Sequence, residues 1–432
     1  MSVSPALAGY RIATALLGPF APLWLGARAR SGKEDGARLK ERYGRYDRVR
    51  ADGRLIWLHA ASVGESGVAM LLIEALAARD PELSFLISTG TRTSADLVAR
   101  RNLARTTHVY APLDRGDAVK RFLDYWSPDV GVFVESEVWP NLLLAAQRRG
   151  VKLALVNARM SPDTLRRWRT WRAAGARVFS AFDFVSAADA RTAEALSEVR
   201  GRLTPILGNL KLAAPPPRVD QGARDALVSD IAGRPLWLAA STHAGEDEIA
   251  LAAHAALRKQ KPDALLILAP RHPERGEAVA ALAGEAPRRS RFQPIGKAPV
   301  YVADTLGELG LFYDLAPVAL VAGSLLPQLK GHNPIEPAKL DAAILSGPFV
   351  ESFDDVFSAL FAARGAIKVA DAEALAAAVE RLLSNEVERI GQTAAARRTV
   401  EQGADALAVT VAEIARLTPS AEAAQRAANA SA

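Results

Sequence analysis

One segment of this chain occurs twice. Leu55-Ile56-Trp57-Leu58-His59-Ala60-Ala61-Ser62-Val63-Gly64-Glu65 is an apolar run that reaches a small-residue turn and then a glutamate at the start of a helical pattern. Leu236-Trp237-Leu238-Ala239-Ala240-Ser241-Thr242-His243-Ala244-Gly245-Glu246 echoes it. Apolar stretches follow each copy in corresponding order: 83–88 with 265–270, 109–113 with 300–304, 130–135 with 318–323, and 153–157 with 343–347. Short apolar or β-branched runs alternating with longer helical patterns are the signature of βαβ units in a parallel sheet. The chain is therefore expected to hold two doubly wound α/β domains. Its 432 residues, half of them hydrophobic, suffice for two cores.

The expected boundaries follow from composition. Ala213-Ala214-Pro215-Pro216-Pro217-Arg218 can continue neither a strand nor a helix. Residues 213–219 are thus read as a linker between a first domain at 31–212 and a second at 220–417, with the ligand-binding strand ends of both facing one cleft. A low-complexity Ala/Ser segment, 418–432, is expected to be a disordered tail. Ile12 to Ala27 is apolar, interrupted by Pro19 and Pro22, and short of the ~20 residues a spanning helix needs. Arg28, Arg30, Lys33, Arg38, Lys40, Arg42, Arg45, Arg48 and Arg50 come directly after it. A signal peptide has the opposite polarity. Residues 1–30 are expected to form an uncleaved membrane anchor, monotopic or marginally transmembrane, with the body on the positive-inside face; a buried first helix is the alternative.

Net charge is +6, which favours anionic partners, and there is no cysteine, which removes thiolate metal sites and cysteine nucleophiles. The six histidines lack metal-ligand spacing. Glu65 stands at a strand-to-helix turn, where open α/β sheets bind ligands. The loop lacks Gly-x-Gly-x-x-Gly, so the carboxylate is suited to taking a proton from an acceptor hydroxyl, or more plainly to stabilising the helix dipole. Glu135-Ser136-Glu137-Val138-Trp139-Pro140-Asn141 places two more acids after a strand; they bind something, or they are solvated loop acids. Arg166-Arg167-Trp168-Arg169-Thr170-Trp171-Arg172 fits lipid phosphates or a solvated basic face.

In the second half, Ser241-Thr242-His243 offers hydroxyls and N–H groups for a phosphate. Pro270-Arg271-His272-Pro273-Glu274-Arg275 ends the next strand with two guanidiniums, and Asp304-Thr305-Leu306-Gly307-Glu308 ends another. Gly331-His332-Asn333-Pro334-Ile335-Glu336-Pro337 brings a carboxylate able to accept both hydroxyls of a ribose. Together these strand ends describe a nucleotide site.

These motifs, with Asn157-Ala158-Arg159 and Gly208-Asn209-Leu210-Lys211, resemble the 3-deoxy-D-manno-octulosonic acid (Kdo) transferases of lipid A assembly, which have the two-domain GT-B glycosyltransferase fold. The resemblance runs from the N-terminal segment to about residue 400. It departs from the family pattern at Leu329-Lys330-Gly331, in a longer loop, and at Ser352. It implies inverting transfer of Kdo from CMP-Kdo, a co-substrate, to a tetraacylated lipid A precursor at the cytoplasmic face of the inner membrane, with neither metal nor cofactor and no nucleic-acid partner. By the same match Glu65 is expected as general base, and Glu135 and Lys211 as transition-state stabilisers. Pro270, Arg271, Leu306, Gly307, Glu308, Asn333, Pro334, Ile335 and Glu336 are expected to bind CMP. The rival readings are a GT-B enzyme using another activated sugar such as a UDP-hexosamine, a membrane-tethered nucleotide binder without catalysis, and a basic nucleic-acid binder.

Overall fold

A computed structural model describes residues 4–420 and 422. The chain forms two compact units: one takes the residues up to Ala214 together with those from Gln402 on, and the other is Pro215–Glu401. Each is built on one parallel sheet of six strands.

In the first unit β1 (Leu55–Ala60), β2 (Ser84–Thr89), β3 (Thr106–Tyr110), β4 (Val130–Val134), β5 (Lys152–Ala158) and β6 (Phe184–Ala187) lie in the order β3-β2-β1-β4-β5-β6. In the second, β7 (Leu236–Thr242), β8 (Leu265–Pro270), β9 (Val300–Val302), β10 (Val318–Val321), β11 (Ala343–Ser346) and β12 (Ala366–Lys368) lie in the order β12-β11-β10-β7-β8-β9. The two orders are the same winding, so the repeated segment opens the same topology twice. The sixth strand of each sheet, β6 and β12, has no counterpart in the apolar runs read from the sequence; both are short, and the pairing that makes β12 a strand comes from β11.

The central strands β1 and β4 are buried along their whole length, and β7 at all but Ser241, because helices cover both faces. Alternation still sorts their side chains. Trp57, Phe133 and Leu155 point to one side of the first sheet, against the helices Gly116–Trp126 and Pro140–Arg148. Ile56, Leu58, Val132 and Val156 point to the other, against the helix Val63–Arg79. On that second side also pack Ala406, Val411 and Ile414, from the last part of the helix Glu386–Leu417. This corrects the expected second domain of 220–417: from Gln402 the chain belongs to the first unit, because the apolar face of this segment is buried on the first sheet. The segment expected as a disordered tail lies, from 423 on, outside the described residues.

The N-terminal apolar stretch is two short helices, Pro5–Leu16 and Ala21–Arg30, joined by a 3-10 turn at Gly18–Phe20. Pro19 and Pro22 break it, each lacking the N–H that a continuous helix requires. No described helix is long and apolar enough to cross a membrane. Ile12, Leu16, Leu17, Phe20, Leu23 and Trp24 are nonetheless exposed. The basic run that follows is only partly available to anions. Arg42 is buried beside Glu34 and donates to the carbonyl of Ala111, Arg38 pairs with Glu41 at 2.8 Å, Arg28 with Glu34 at 3.0 Å, and Arg50 donates to the carbonyl of Trp126 at 2.7 Å. Much of the charge that marks the positive-inside flank is thus paired within the first unit.

Candidate active site

In each sheet the winding reverses beside the first strand, between β1 and β4 and between β7 and β10. Such reversals open a crevice at the carboxyl ends of the strands. Glu65, Glu135 and Lys211 gather at the first of these places, and Arg271 and Asn333 to Glu336 near the second, whereas Leu306 to Glu308 follow the edge strand β9.

In the first unit the turn after β1 is a helix start capped by Ser62, whose hydroxyl accepts from the Glu65 N–H at 3.3 Å. The Glu65 carboxylate turns back to accept from the Ala61 N–H at 2.7 Å and the Ser62 hydroxyl at 2.9 Å. It therefore does stabilise the helix start. Burial pushes its pKa up, nearby Glu137 and Glu135 push the same way, and the two hydrogen bonds oppose them. The result is a carboxylate held in place yet more basic than an ordinary one.

Glu135 follows β4 with φ 58°, and Asn157 closes β5 with φ 54°. These left-handed conformations are costly for residues with a Cβ and are kept where the surrounding structure fixes them. Here Asn157 does so: its side-chain oxygen accepts from the Leu210 N–H at 2.9 Å, while its amide nitrogen lies 3.4 Å from Glu135. Asn209 caps the 3-10 turn Leu210–Ala213 by accepting from the Lys211 N–H. The Lys211 ammonium then meets Glu135 at 2.7 Å. The Lys211 side chain also passes Gly64 at ordinary van der Waals distance, 3.5 Å from where a Cβ would stand. Residues from three distant segments thus place Glu65, Glu135 and Lys211 together.

Glu137 adds a third acid, with partners that local motifs did not reveal. It accepts from the indole N–H of Trp139 at 2.7 Å and faces Nε2 of buried His59 at 3.5 Å. His59 is held in turn by Ser88 at 2.9 Å through Nδ1. Burial pushes the Glu137 pKa up, but His59 and Trp139 outweigh it and hold it below the usual range. The one signal in the sequence was a histidine inside an apolar strand.

Beside this site runs a groove of about 770 Å³, lined by Leu7, Tyr10, Val138, Trp168 and Trp171 and reaching Ser136 between the two acids. Trp168 packs edge-on against Phe179, whereas Trp171 is exposed.

In the second unit the ends of β7, β8, β9 and β10 are neighbours. Arg271, just past Pro270, is tied to the end of β7 by its N–H, which donates to the Thr242 carbonyl at 2.9 Å. Leu306 is exposed, Gly307 has φ 83°, and Glu308 is held by Arg289 at 2.6 Å and by the Thr305 hydroxyl. Arg289 keeps the Glu308 carboxyl below its usual range. Asn333 accepts from the Ile335 N–H at 3.0 Å and reaches Glu336 at 3.2 Å; Pro334 lies between them. Burial pushes the Glu336 pKa up, against Asn333 and the charge of Arg271. A half-desolvated carboxylate beside a guanidinium suits a polyhydroxylated, anionic ligand.

At the helix start after β7 the backbone N–H of His243 is taken by the protein itself, while the His243 side chain is left to face a ligand. Fully buried Glu246 accepts from the N–H groups of His243 (3.1 Å), Gly323 (2.8 Å), Ser324 (2.9 Å) and Leu325 (3.0 Å). Among the described residues no group of three or more His, Asp and Glu is placed to hold a metal ion.

The chain is similar to several known proteins. Residues 37–214 match the family model described as 3-deoxy-D-manno-octulosonic-acid transferase (kdotransferase). The 3-deoxy-D-manno-octulosonic acid transferase of Rickettsia bellii is 34% identical over 358 residues, 82% of this chain and 85% of that protein. That of Haemophilus influenzae is 34% identical over 374 residues, 82% and 84% of the two chains. A glycosyltransferase from Rickettsia africae, at 12% identity, superposes with a TM-score of 0.53 over 85% of this chain and 99% of its own, a likeness of fold alone.

Proposed function

The chain belongs to the 3-deoxy-D-manno-octulosonic acid transferases, glycosyltransferases of GT-B fold, and from that premise we propose that it moves Kdo from CMP-Kdo to a hydroxyl of a tetraacylated lipid A precursor. The observation that carries the reading is the grouping of Glu65, Glu135 and Lys211 at the reversal point of the first sheet, with Glu65 buried and more basic than usual.

In the step itself the bond from the sugar's anomeric carbon to the phosphate oxygen breaks, and its electron pair leaves with CMP. The acceptor oxygen bonds to that carbon from the opposite face, inverting it, and its proton passes to Glu65. Both Glu65 oxygens keep a free lone pair after accepting from Ala61 and Ser62, so the carboxylate can take it. Glu135 lends negative charge to the oxocarbenium-like centre, and its ion pair with Lys211 fixes it there. Arg271 neutralises the leaving phosphate, Glu336 and Asn333 take the ribose, and the 306–308 and 334–335 backbone borders the nucleotide. All of this chemistry is done by side chains and backbone of the chain, with no metal or cofactor. The apolar groove beside Ser136 suits an acyl chain of the acceptor. The exposed apolar residues of the first two helices, with Trp24, suit seating in the cytoplasmic face of the inner membrane without spanning it.

The test is product formation from CMP-Kdo and the tetraacyl precursor, read by mass, with wild type and Glu65→Gln side by side. Wild type adds Kdo, and the variant loses on the order of 10²–10⁴-fold in rate while still binding CMP. Equal rates would remove Glu65 from the mechanism, and an inactive wild type that binds another nucleotide would end the substrate assignment.

A further inference from the structure

Three histidines that no part of this mechanism uses meet at the ends of β7, β8 and β10. His243 and His332 meet edge to edge, their ring centroids 5.2 Å apart and their planes 19° from parallel, with Nε2 facing Nε2 at 2.9 Å. His272 stands edge-on to His243 at 5.7 Å. The backbone makes room for the pair: Gly323 has φ 71°, and a Cβ there would come within 2.4 Å of the His332 ring. The Gly331 N–H donates to the Gly323 carbonyl at 2.6 Å and so fixes the chain that presents His332.

Two imidazole nitrogens at 2.9 Å share one hydrogen. In the neutral pair one Nε2 donates to the other, and only the accepting ring carries a proton on Nδ1. The pair can take up one further proton, at the free Nδ1, without losing the shared hydrogen bond. It then presents two Nδ1–H donors and a positive charge. A second extra proton would set two N–H groups against each other. The pair is in this sense a one-proton device.

Its surroundings set when that proton enters. Arg271, His272 and Arg275 face His243 with positive or potentially positive charge, and Glu246 faces it with negative charge already bound by four N–H groups. Arg271 and His272 also face His332. Burial depresses both histidines; at His243 the charge of Glu246 opposes it and the positive neighbours add to it, and His332 is lowered to about 4, so without an anion the pair is neutral at pH 7. Arg271 lies within electrostatic reach of Glu336 as well, which places the pair beside the nucleotide residues.

We infer that the His243–His332 pair binds the phosphate of the CMP donor and takes up one proton as it does so. The inference rests on the nucleotide reading of this unit. Donor binding is then linked to pH, and the proton gained stands ready to offset the charge that CMP acquires on leaving.

Calorimetry of CMP binding to the full-length protein tests it, at pH about 7.5, above the second phosphate ionisation near 6, in buffers of different ionisation enthalpy. Wild type takes up as much as about one proton per CMP, the limit for a one-proton pair, and none with cytidine, which lacks the phosphate. His332→Asn and His243→Gln, two variants in case one misfolds, bind CMP about 10-fold more weakly, the scale of one lost charge-assisted hydrogen bond, and take up no proton. CMP binding without proton uptake by wild type, or with uptake unchanged in both variants, overturns the inference and leaves the nucleotide reading standing. Failure of wild type to bind CMP at all overturns both.

Discussion

Glu65 and Glu246 occupy the same place in two copies of one topology, at the first turn beyond the first strand of each sheet, and they do opposite things. Glu246 accepts four backbone N–H groups, three of them from the loop after β10, and is wholly buried. Its charge is spent on holding the crevice in shape. Glu65 accepts only from its own turn, keeps lone pairs free, and faces two other carboxylates. What separates the two carboxylates here is the number of donors aimed at each and the sign of the charge around it, not its position in the fold.

The largest effect should come from exchanging losses between the two. Glu65→Gln is expected to cut turnover by on the order of 10²–10⁴-fold without lowering the unfolding midpoint, because the amide oxygen can still accept at the helix start and the raised pKa means that the charge itself costs stability, checked by rate and by urea titration on the same samples. Glu246→Ala should break the comparison from the other side. It leaves buried N–H groups unpaired at a cost of about 3 kcal/mol, read as on the order of 10²-fold faster amide exchange at residues 323–325. Unchanged exchange there would show that Glu246 does not hold that loop.

A smaller effect sharpens the electrostatic half of the argument. The raised pKa of Glu65 means that kcat/KM climbs with pH through a value above the usual carboxylate range, as the base ionises. Glu137→Gln removes a like charge, favours ionised Glu65, and should move that limb to lower pH. A pH profile that does not move would assign Glu137 to structure alone. The smallest effect lies at the periphery: Leu23→Ser with Trp24→Ser should weaken co-sedimentation with anionic vesicles by about 10-fold, from the apolar area lost, with soluble-substrate chemistry unaffected.

Sequence reading succeeded where the signal was local. The apolar runs marked ten of the twelve strands, because a parallel strand buried on both faces is apolar along its length. The turn chemistry after each run marked Glu65, Glu135, Arg271 and Asn333 at strand ends. It missed β6 and β12, edge strands whose short runs carry Ser186 and end on Lys368, and it read the cations of 28–50 only as the positive-inside flank of an anchor because a charge run does not reveal its partners. Glu34, Glu41 and the carbonyl of Ala111 supply them. It also passed over His59, whose partners Ser88 and Glu137 are 29 residues away and at the end of another strand.

By itself, then, the sequence determined the two windings, the strand ends where chemistry can occur, and the residue types present there, since all of these follow from periodicity and turn formation over a few residues. Only the tertiary structure decided which of two equivalent glutamates keeps lone pairs free, that Lys211 pairs with Glu135, that His243 meets His332, and that the chain from Gln402 packs on the first sheet. Each of these depends on groups brought together from far along the chain, such as the N–H groups 77 to 79 residues beyond Glu246. Hydrogen bonding and desolvation act through distance in space, which no local pattern encodes.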